Sequence, residues 1–264
     1  MKGKIFLLFA MHINLLSSAQ ILKVDKGSLL LDSSRVLIGN VGLNFDIHNR
    51  SATSEREITF VGLKGTSDIV YLSQKHAYIS INSVQYFKST GGPLTSNGYS
   101  HFRINFLRMK PLSYETYTQV QYDDGRSMPF RFLYGGGVRL RLKESKKISA
   151  HAGIGIMNEL EHWKNISTDN SIITKQILKT SDYVGATLQL SDFASIMLTF
   201  YYQGGYDNQD DVFRNRVSSD FEFKVKMTNK ISFTSSCALQ YEDKPIIPIR
   251  KLVYSVHNGL MWNF

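Results

Sequence analysis

The sequence predicts an all-β protein, specifically a transmembrane antiparallel β-barrel of about 12 strands. Three observations lead to this prediction. Apolar and polar residues alternate with period two along most of the chain, which is the pattern of β-strands. Short and long connections between these segments follow one another in turn, and the N-terminus has the composition of an export signal.

Composition excludes several other classes. The chain has 264 residues, with 31 Lys+Arg, 22 Asp+Glu and a single cysteine. Cys237 therefore has no partner for an internal disulfide, and it is not part of a zinc-spaced cluster. Hydrophobic residues at 42% argue against disorder. The longest apolar run, from Ile5 to Met11, is too short for a membrane-spanning helix.

The first 19 residues are predicted to be a secretory signal peptide. Lys2 and Lys4 precede a mostly apolar stretch from Ile5 to Leu16, and the small residues Ser17, Ser18 and Ala19 follow. This order of regions predicts cleavage after Ala19. Removal of the two lysines lowers the formal net charge from +9 to +7. We expect an N-terminal arm at residues 20–35 and the barrel at residues 36–264.

Period-two alternation is clearest between residues 131 and 142. Phe132, Tyr134, Val138 and Leu140 alternate with residues that include Arg131, Arg139 and Arg141. Similar alternation predicts strands at residues 36–48, 56–73, 77–88, 99–109, 113–122, 129–142, 148–160, 173–190, 194–203, 211–226, 231–241 and 250–264.

The predicted connections differ between the two ends of the barrel. Short ones occur at residues 74–76, 110–112, 143–147, 191–193 and 228–230. Longer ones occur at residues 49–55, 89–98, 123–128, 161–171, 204–210 and 242–248. Outer-membrane barrels have short periplasmic turns and longer extracellular loops. We therefore predict a location in the outer membrane of a diderm bacterium, with both termini periplasmic.

The charged face of the strands is predicted to point into the barrel lumen, because a charge at mid-bilayer costs about 2–4 kcal/mol on a barrel surface. The predicted lumen charge network consists of Arg103, Glu115, Arg131, Arg139, Arg141, Glu159, Glu161, Arg214, Arg216, Asp220 and Glu222. Gln119, Gln121, His151 and Lys224 share that face. Twelve strands lie between barrels filled by side chains and open porins, so a narrow or blocked lumen is expected. Gly135, Gly137, Gly153 and Gly155 share the inward parity and would make room for long neighbours such as Arg139 or Arg141.

The C-terminal residues Leu260, Trp262 and Phe264 place apolar side chains on one strand face. They resemble the terminal signal that barrel-assembly machinery reads. The partners expected from the sequence are this machinery, outer-membrane lipid, lipopolysaccharide and an envelope protein complex. The basic net charge suits the anionic groups of lipopolysaccharide.

Catalytic chemistry is the alternative. Ser149 with His151, and Ser255 with His257, are each two residues apart and so share a strand face, as in a lipid-modifying hydrolase. The acidic stretch from Asp207 to Asp211 offers oxygen ligands but lacks the spacing of a calcium loop. The sequence contains no zinc, phosphate-loop or nucleic-acid motif. No cofactor, no metal and no nucleic-acid partner are predicted.

Residues 101–161 resemble a known family. The stretches that carry the resemblance are 101–105 (HFRIN), 114–122 (YETYTQVQY), 131–139 (RFLYGGGVR) and 157–161 (MNELE). They are similar to the bacterial salt-induced outer-membrane barrel family, whose domain has no assigned function. The resemblance covers about a quarter of the chain closely. It implies a single outer-membrane barrel and no established activity. Met157 and Asn158 stand where that family often has an aromatic pair.

Our leading hypothesis from the sequence is an outer-membrane barrel without catalytic activity, acting as a narrow passive pore or as a structural, partner-binding component of the envelope. The alternative is an outer-membrane lipid-modifying hydrolase that uses His151 or His257. A soluble periplasmic β protein is a third reading.

Overall fold

The computed structural model describes residues 36–49, 59–90, 92–165, 171–228 and 231–262. The all-β prediction is confirmed. The strands are β1 Val36–Asn49, β2 Thr59–Leu72, β3 Ala77–Ser89, β4 Gly92–Phe106, β5 Leu112–Asp123, β6 Met128–Glu144, β7 Ile148–Lys164, β8 Ile172–Thr180, β9 Asp182–Gln189, β10 Ala194–Asp207, β11 Val212–Lys226, β12 Ile231–Glu242 and β13 Leu252–Trp262. The predicted signal peptide, the N-terminal arm and Phe264 lie outside the described residues.

The strands form one antiparallel sheet in which each strand pairs with the next along the chain, except that β8 does not pair with β9. β8 and β9 both pair with β7, so they are two halves of one strand that is interrupted at Ser181. Counted together, they give the twelve strands that the sequence predicted. The interruption does not turn the strand over, because Lys179, Ser181 and Tyr183 are buried on the same face.

The predicted long loop at residues 89–98 is wrong. β4 begins at Gly92, which leaves only residues 90 and 91 between β3 and β4. Pro93 pairs with Lys88 next to a register shift between Phe87 and Lys88. A proline lacks an N–H donor and is tolerated at a strand end or a bulge, so this composition did not exclude a strand.

The two ends of the sheet differ. Residues 73–76, 107–111, 145–147, 190–193 and 227–230 form its turn end. The opposite end, here called the loop end, carries the 3-10 turn Asp124–Arg126, the four residues 208–211 and the nine residues 243–251. Among the described residues, no helix is long and apolar enough to cross a membrane.

The sheet is strongly curved. The guanidinium of Arg103 on β4 lies 5.8 Å from the ring centroid of Tyr183 on β9, although β5, β6 and β7 separate these strands. Strands are about 4.8 Å apart, so in a flat sheet β4 and β9 would be about 19 Å apart. The face that carries Arg103 and Tyr183 is therefore the concave, inner face.

The outer face is apolar. Exposed large side chains on it include Phe102, Tyr114, Val120, Tyr134, Val138, Leu140, Ile154, Ile156, Leu178, Val184, Leu198, Phe200, Phe221, Leu239 and Tyr254. Along the described parts of β10, β11 and β12, the residues of this parity include no charged side chain. A soluble protein rarely exposes apolar area on this scale.

Among the described residues the inner face is mainly polar, with a few apolar patches. Leu72, Ala77, Ile79 and Ile81 form a buried cluster on β2 and β3. The strand register is regular from β2 to β4 at these residues, so side chains that face inward on β4 continue onto the same face of β3 and β2. The patch therefore lines the same concavity as the charged residues of β4 to β12.

The inner-face glycines accommodate tyrosines. A Cβ at Gly153 would meet the ring of Tyr183, and a Cβ at Gly135 would lie 2.8 Å from the hydroxyl of Tyr117. Tyrosine side chains, rather than the predicted arginines, therefore occupy the space beside these two glycines. Gly137 faces backbone, and a Cβ there would lie 2.7 Å from the Cα of Gly155.

We predict that Gly137→Ala lowers the free energy of unfolding by about 1–3 kcal/mol, because overpacking against backbone forces the two strands apart. Gly39→Ala is the control, since its Cβ would meet its nearest atom at 3.5 Å, an ordinary contact. Urea unfolding of both variants in lipid vesicles measures the difference. Equal losses in the two variants would contradict the close β6–β7 approach.

Candidate functional site

The inner face contains a charge cluster around Glu159 on β7, whose side chain is 1% exposed. Arg131 on β6 donates to its Oε1 from Nε at 2.6 Å, and Arg216 on β11 donates to the same oxygen from Nη1 at 2.7 Å. The Nζ of Lys179 on β8 donates to Oε2. One carboxylate thus joins side chains from three further strands.

Two more carboxylates complete this cluster. Glu161 accepts from Nη2 of Arg216 at 2.8 Å and from the indole Nε1 of Trp163 at 3.2 Å. Glu242 accepts from Nε of Arg216 at 2.9 Å and lies 3.5 Å from Nη2 of Arg126. Arg126, Arg131, Lys179 and Arg216 give four positive charges against three carboxylates, so these seven side chains carry a net charge of +1.

The stability of a buried ion pair depends on its geometry as much as on the attraction between its charges. Removing charges from water costs several kcal/mol per ion, and only close, multiple hydrogen bonds recover that cost. Arg216 meets this requirement because each of its three guanidinium nitrogens donates to a different carboxylate. The cluster therefore specifies how β6, β7, β8, β11 and β12 are arranged.

A second cluster lies nearer the loop end. Lys175 on β8 contacts Asp207 at 3.3 Å and Asp210 at 2.6 Å. Arg214 on β11 pairs with Asp207 at 2.9 Å and also with Asp210. Of the three aspartates in the stretch considered for a metal, Asp207 and Asp210 are thus neutralised by two cations, and Asp211 accepts from the hydroxyl of Tyr206. No group of three or more metal-ligating side chains occurs among the described residues.

The β12–β13 loop, residues 243–251, folds inward over these clusters. Ile247 is 2% exposed and packs with Met128 and Trp163, with Ile246 and Ile249 beside them. The backbone carbonyl of Lys244 accepts from Nη1 of Arg214 at 2.5 Å. The cavity between this loop and the charged side chains of β7, β8 and β11 has a volume of only about 10 Å³, too little for more than about one water molecule. The loop therefore covers the interior at this end.

Asp243 anchors the start of that loop. The backbone N–H and Nδ2 of Asn215 both donate to its carboxylate at 2.7 Å. Partial burial raises the pKa of Asp243, but the hydrogen bonds from Asn215 outweigh it and hold the pKa below its usual value. The anchor is thus complete above the ordinary aspartate pKa and is lost as pH falls through the lowered value.

A third group lies deeper, toward the turn end. Arg103 pairs with Glu115 at 3.4 Å and lies 5.1 Å from the ring centroid of Tyr117. The hydroxyl of Tyr183 donates to Glu115 at 2.8 Å, and the Tyr183 and Tyr201 rings are 5.3 Å apart. Aromatic faces and one carboxylate thus surround the Arg103 guanidinium.

Between this group and the Glu159 cluster lies a cavity of about 80 Å³. It is lined from β4 round to β12, by Tyr99, His101, Arg103, Tyr117, Gln119, Arg131, Leu133, Met157, Ser181, Tyr201, Gln203, Arg216, Ser218 and Gln240. Three of these side chains are guanidiniums and none is a carboxylate.

The other sequence-predicted residues also lie on the inner face. Arg139 and Asp220 are buried, whereas Arg141, Glu222 and Lys224 are half-buried, as are Gln119 and Gln121. The Arg139 guanidinium, 4% exposed, forms no ion pair with any residue in the described ranges. Arg141 donates from Nη2 to the carbonyl of Arg108 at 3.0 Å. Leu260 and Trp262 belong to β13, but their side chains are outside the described set.

The hydrolase residues are engaged elsewhere. The Ser149 hydroxyl donates to Glu144 at 3.0 Å, and the His151 ring packs against Tyr183 with centroids 5.8 Å apart. The side chains of Ser255 and His257 are outside the described set. No observation here favours a hydrolytic site.

Sequence reasoning missed Lys175, Lys179, Trp163 and Ile247. The strand containing the two lysines also places Ile177 on its inner face, so charge and apolar character do not separate there. Ile247 lies in a loop, where no periodicity applies. The Pro-Ile-Ile-Pro composition around it was the available signal, because consecutive isoleucines are unusual in a solvated loop.

Comparisons with known proteins give little. No family model matches the chain, and no curated protein matches it. Among solved structures, 17 chains are similar. One is described as the NanC porin structure in a rhombohedral crystal form, with a TM-score of 0.47 and 10% identity, covering 84% of this chain and 100% of that chain. The resemblance to the salt-induced outer-membrane family stays a prediction.

We predict that Glu159→Gln lowers the free energy of unfolding by about 3–5 kcal/mol, because it leaves Arg131, Lys179 and Arg216 buried without their shared anion. Asp192→Asn, the same kind of change at an exposed turn, should have an effect within about 0.5 kcal/mol. Urea unfolding in vesicles tests both. Similar effects for the two variants would show that the cluster does not stabilise the fold.

Proposed function

We propose that the chain is an outer-membrane β-barrel without catalytic activity that acts as a narrow pore, closed at its loop end by residues 243–251. The observation that carries this proposal is the separation of the two faces. Apart from Asp182 and the strand ends, the outer face has no charged side chain along β4 to β12, whereas the inner face concentrates the charges. Only a lipid environment makes that outer face favourable.

In this proposal β13 joins β1 and closes the barrel, which leaves no unpaired backbone groups facing lipid. The signal peptide directs export, both termini are periplasmic, and the turn end faces the periplasm. Leu260, Trp262 and Phe264 contact the assembly machinery during biogenesis. Outer-membrane lipid and lipopolysaccharide surround the finished barrel, and an envelope protein complex is a further partner.

Solute would move past the half-buried inner-face side chains. Gln119, Gln203 and Gln240 point inward yet stay partly accessible, so the interior is not filled at their level. The tight contact of Ile247 with Met128 and Trp163 blocks the way out at the loop end. The expected resting state is therefore a weakly conducting one.

We predict that Ile156→Arg costs about 2–4 kcal/mol in lipid vesicles while Ile148→Arg costs about 0–1 kcal/mol. Both isoleucines are exposed on the outer face of β7, at its middle and at its turn end. The depth dependence follows from the cost of a charge at mid-bilayer. Unfolding titrations of the two variants give the difference, and equal costs would argue against a membrane-embedded outer face. Gel mobility with and without boiling first verifies that each variant has folded.

We predict that Ile247→Asp raises conductance in planar bilayers several-fold, because a carboxylate cannot stay in the apolar contact with Met128 and Trp163. Asn208→Asp adds the same charge at an exposed residue of the neighbouring turn and should conduct like the unaltered protein. If none of the three proteins conducts at any salt concentration or voltage tested, the pore is refuted and the structural role remains as the function.

A further inference from the structure

We infer that the 80 Å³ cavity binds the carboxylate of a small organic acid, with Arg103 and Arg216 facing the charged group. This inference deepens the proposed function by naming its solute class, and it rests on that function only for the route by which the acid enters.

Charge is the first argument. The cavity wall contains the guanidiniums of Arg103, Arg131 and Arg216 and no carboxylate. Arg131 and Arg216 belong to the Glu159 cluster, whose seven side chains have a net charge of +1, and Arg103 shares its single carboxylate, Glu115, with Tyr183. The buried carboxylate of Asp220 acts on the lining residues Tyr99 and Tyr201 but does not itself line the cavity, so a ligand inside meets guanidiniums directly and no anion.

An unused donor is the second argument. Arg103 is 4% exposed, and its Nε has no hydrogen-bond acceptor among the described residues. A buried donor without an acceptor is costly and is rare in folded proteins. A bound carboxylate would supply an oxygen acceptor for Nε of Arg103.

Shape and polarity are the third argument. A water molecule needs about 10–15 Å³ of such space, so the cavity holds several waters or a few non-hydrogen atoms. Its wall also includes the apolar side chains Leu133 and Met157 and the ring of Tyr201. A site with cations at one part and apolar groups at another fits an organic carboxylate better than an inorganic anion.

The test measures propionate binding to the full mature chain, folded in detergent, by isothermal titration calorimetry. Propionamide, which has nearly the same shape without the charge, and chloride at equal ionic strength are the reference solutes. We expect saturable binding of propionate that both reference solutes fail to reproduce. Absence of saturable propionate binding, or equal binding of propionamide, overturns the inference.

Three variants locate the site. Gln203→Glu places a carboxylate in the cavity wall and should weaken propionate binding at least about tenfold, because like charges then meet. Gln203→Met keeps the length without adding charge and should bind within a few-fold of the unaltered protein. Gln189→Glu adds the same charge at the β9–β10 turn, where Gln189 donates to the carbonyl of Ser191, and should leave binding unchanged.

The outcomes separate this inference from the pore. Binding in detergent requires no conductance, so a protein that binds propionate but never conducts refutes the pore alone. A protein that conducts but does not bind propionate refutes the site alone. Loss of binding in Gln189→Glu equal to that in Gln203→Glu would place the anion elsewhere and also refute the site.

Discussion

The arrangement of the inner face depends on the burial of Glu159 among three cations. Its two oxygens accept from Arg131, Lys179 and Arg216, which belong to three different strands. A carboxylate in this position has a large desolvation cost that only this set of donors recovers. Any shift of register by one residue would turn one of these side chains to the outer face and leave the others uncompensated. The cluster thus acts against alternative pairings of strands whose outer faces are chemically similar.

The pairing of buried charges also determines how the polar inner face is packed. A core of this size built from aliphatic side chains would be filled completely, as the small patch of Leu72, Ile79 and Ile81 is. Long polar side chains instead keep directional contacts and leave gaps between them. The 80 Å³ cavity lies at such a gap, between the cluster of Glu159 and the pair of Arg103 with Glu115. The long polar side chains of the inner face therefore account both for its rigid contacts and for its accessible space.

The sequence predicted the sheet well where one face is charged and the other apolar. Residues 131–142 are the clearest case, because arginine or glycine occupies every second position except Leu133, and large apolar residues occupy the others except Gly136. Prediction failed where this contrast is absent. Pro93 and Gly92 suggested a loop, yet a strand end next to a bulge accommodates both. Lys175 and Lys179 were missed because Ile177 shares their face, and the placement of Ile247 depends on contacts between residues far apart in the sequence.

The interior differs between the two ends of the strands, because residues 243–251 bring apolar side chains to the loop end. At the loop end, residues 243–251 supply three isoleucines, which pack on Met128 and Trp163 and shield the ion pairs beneath from water. Shielding strengthens those pairs, since the attraction between charges grows as the surrounding dielectric constant falls. At the turn end the buried patch of Leu72, Ala77 and Ile79 lies on β2 and β3, and Arg139 on β6 has no ion-pair partner among the described residues. The loop end thus holds its cations in close ion pairs with carboxylates, whereas Arg139 at the other end keeps a buried positive charge without an ion-pair partner among the described residues.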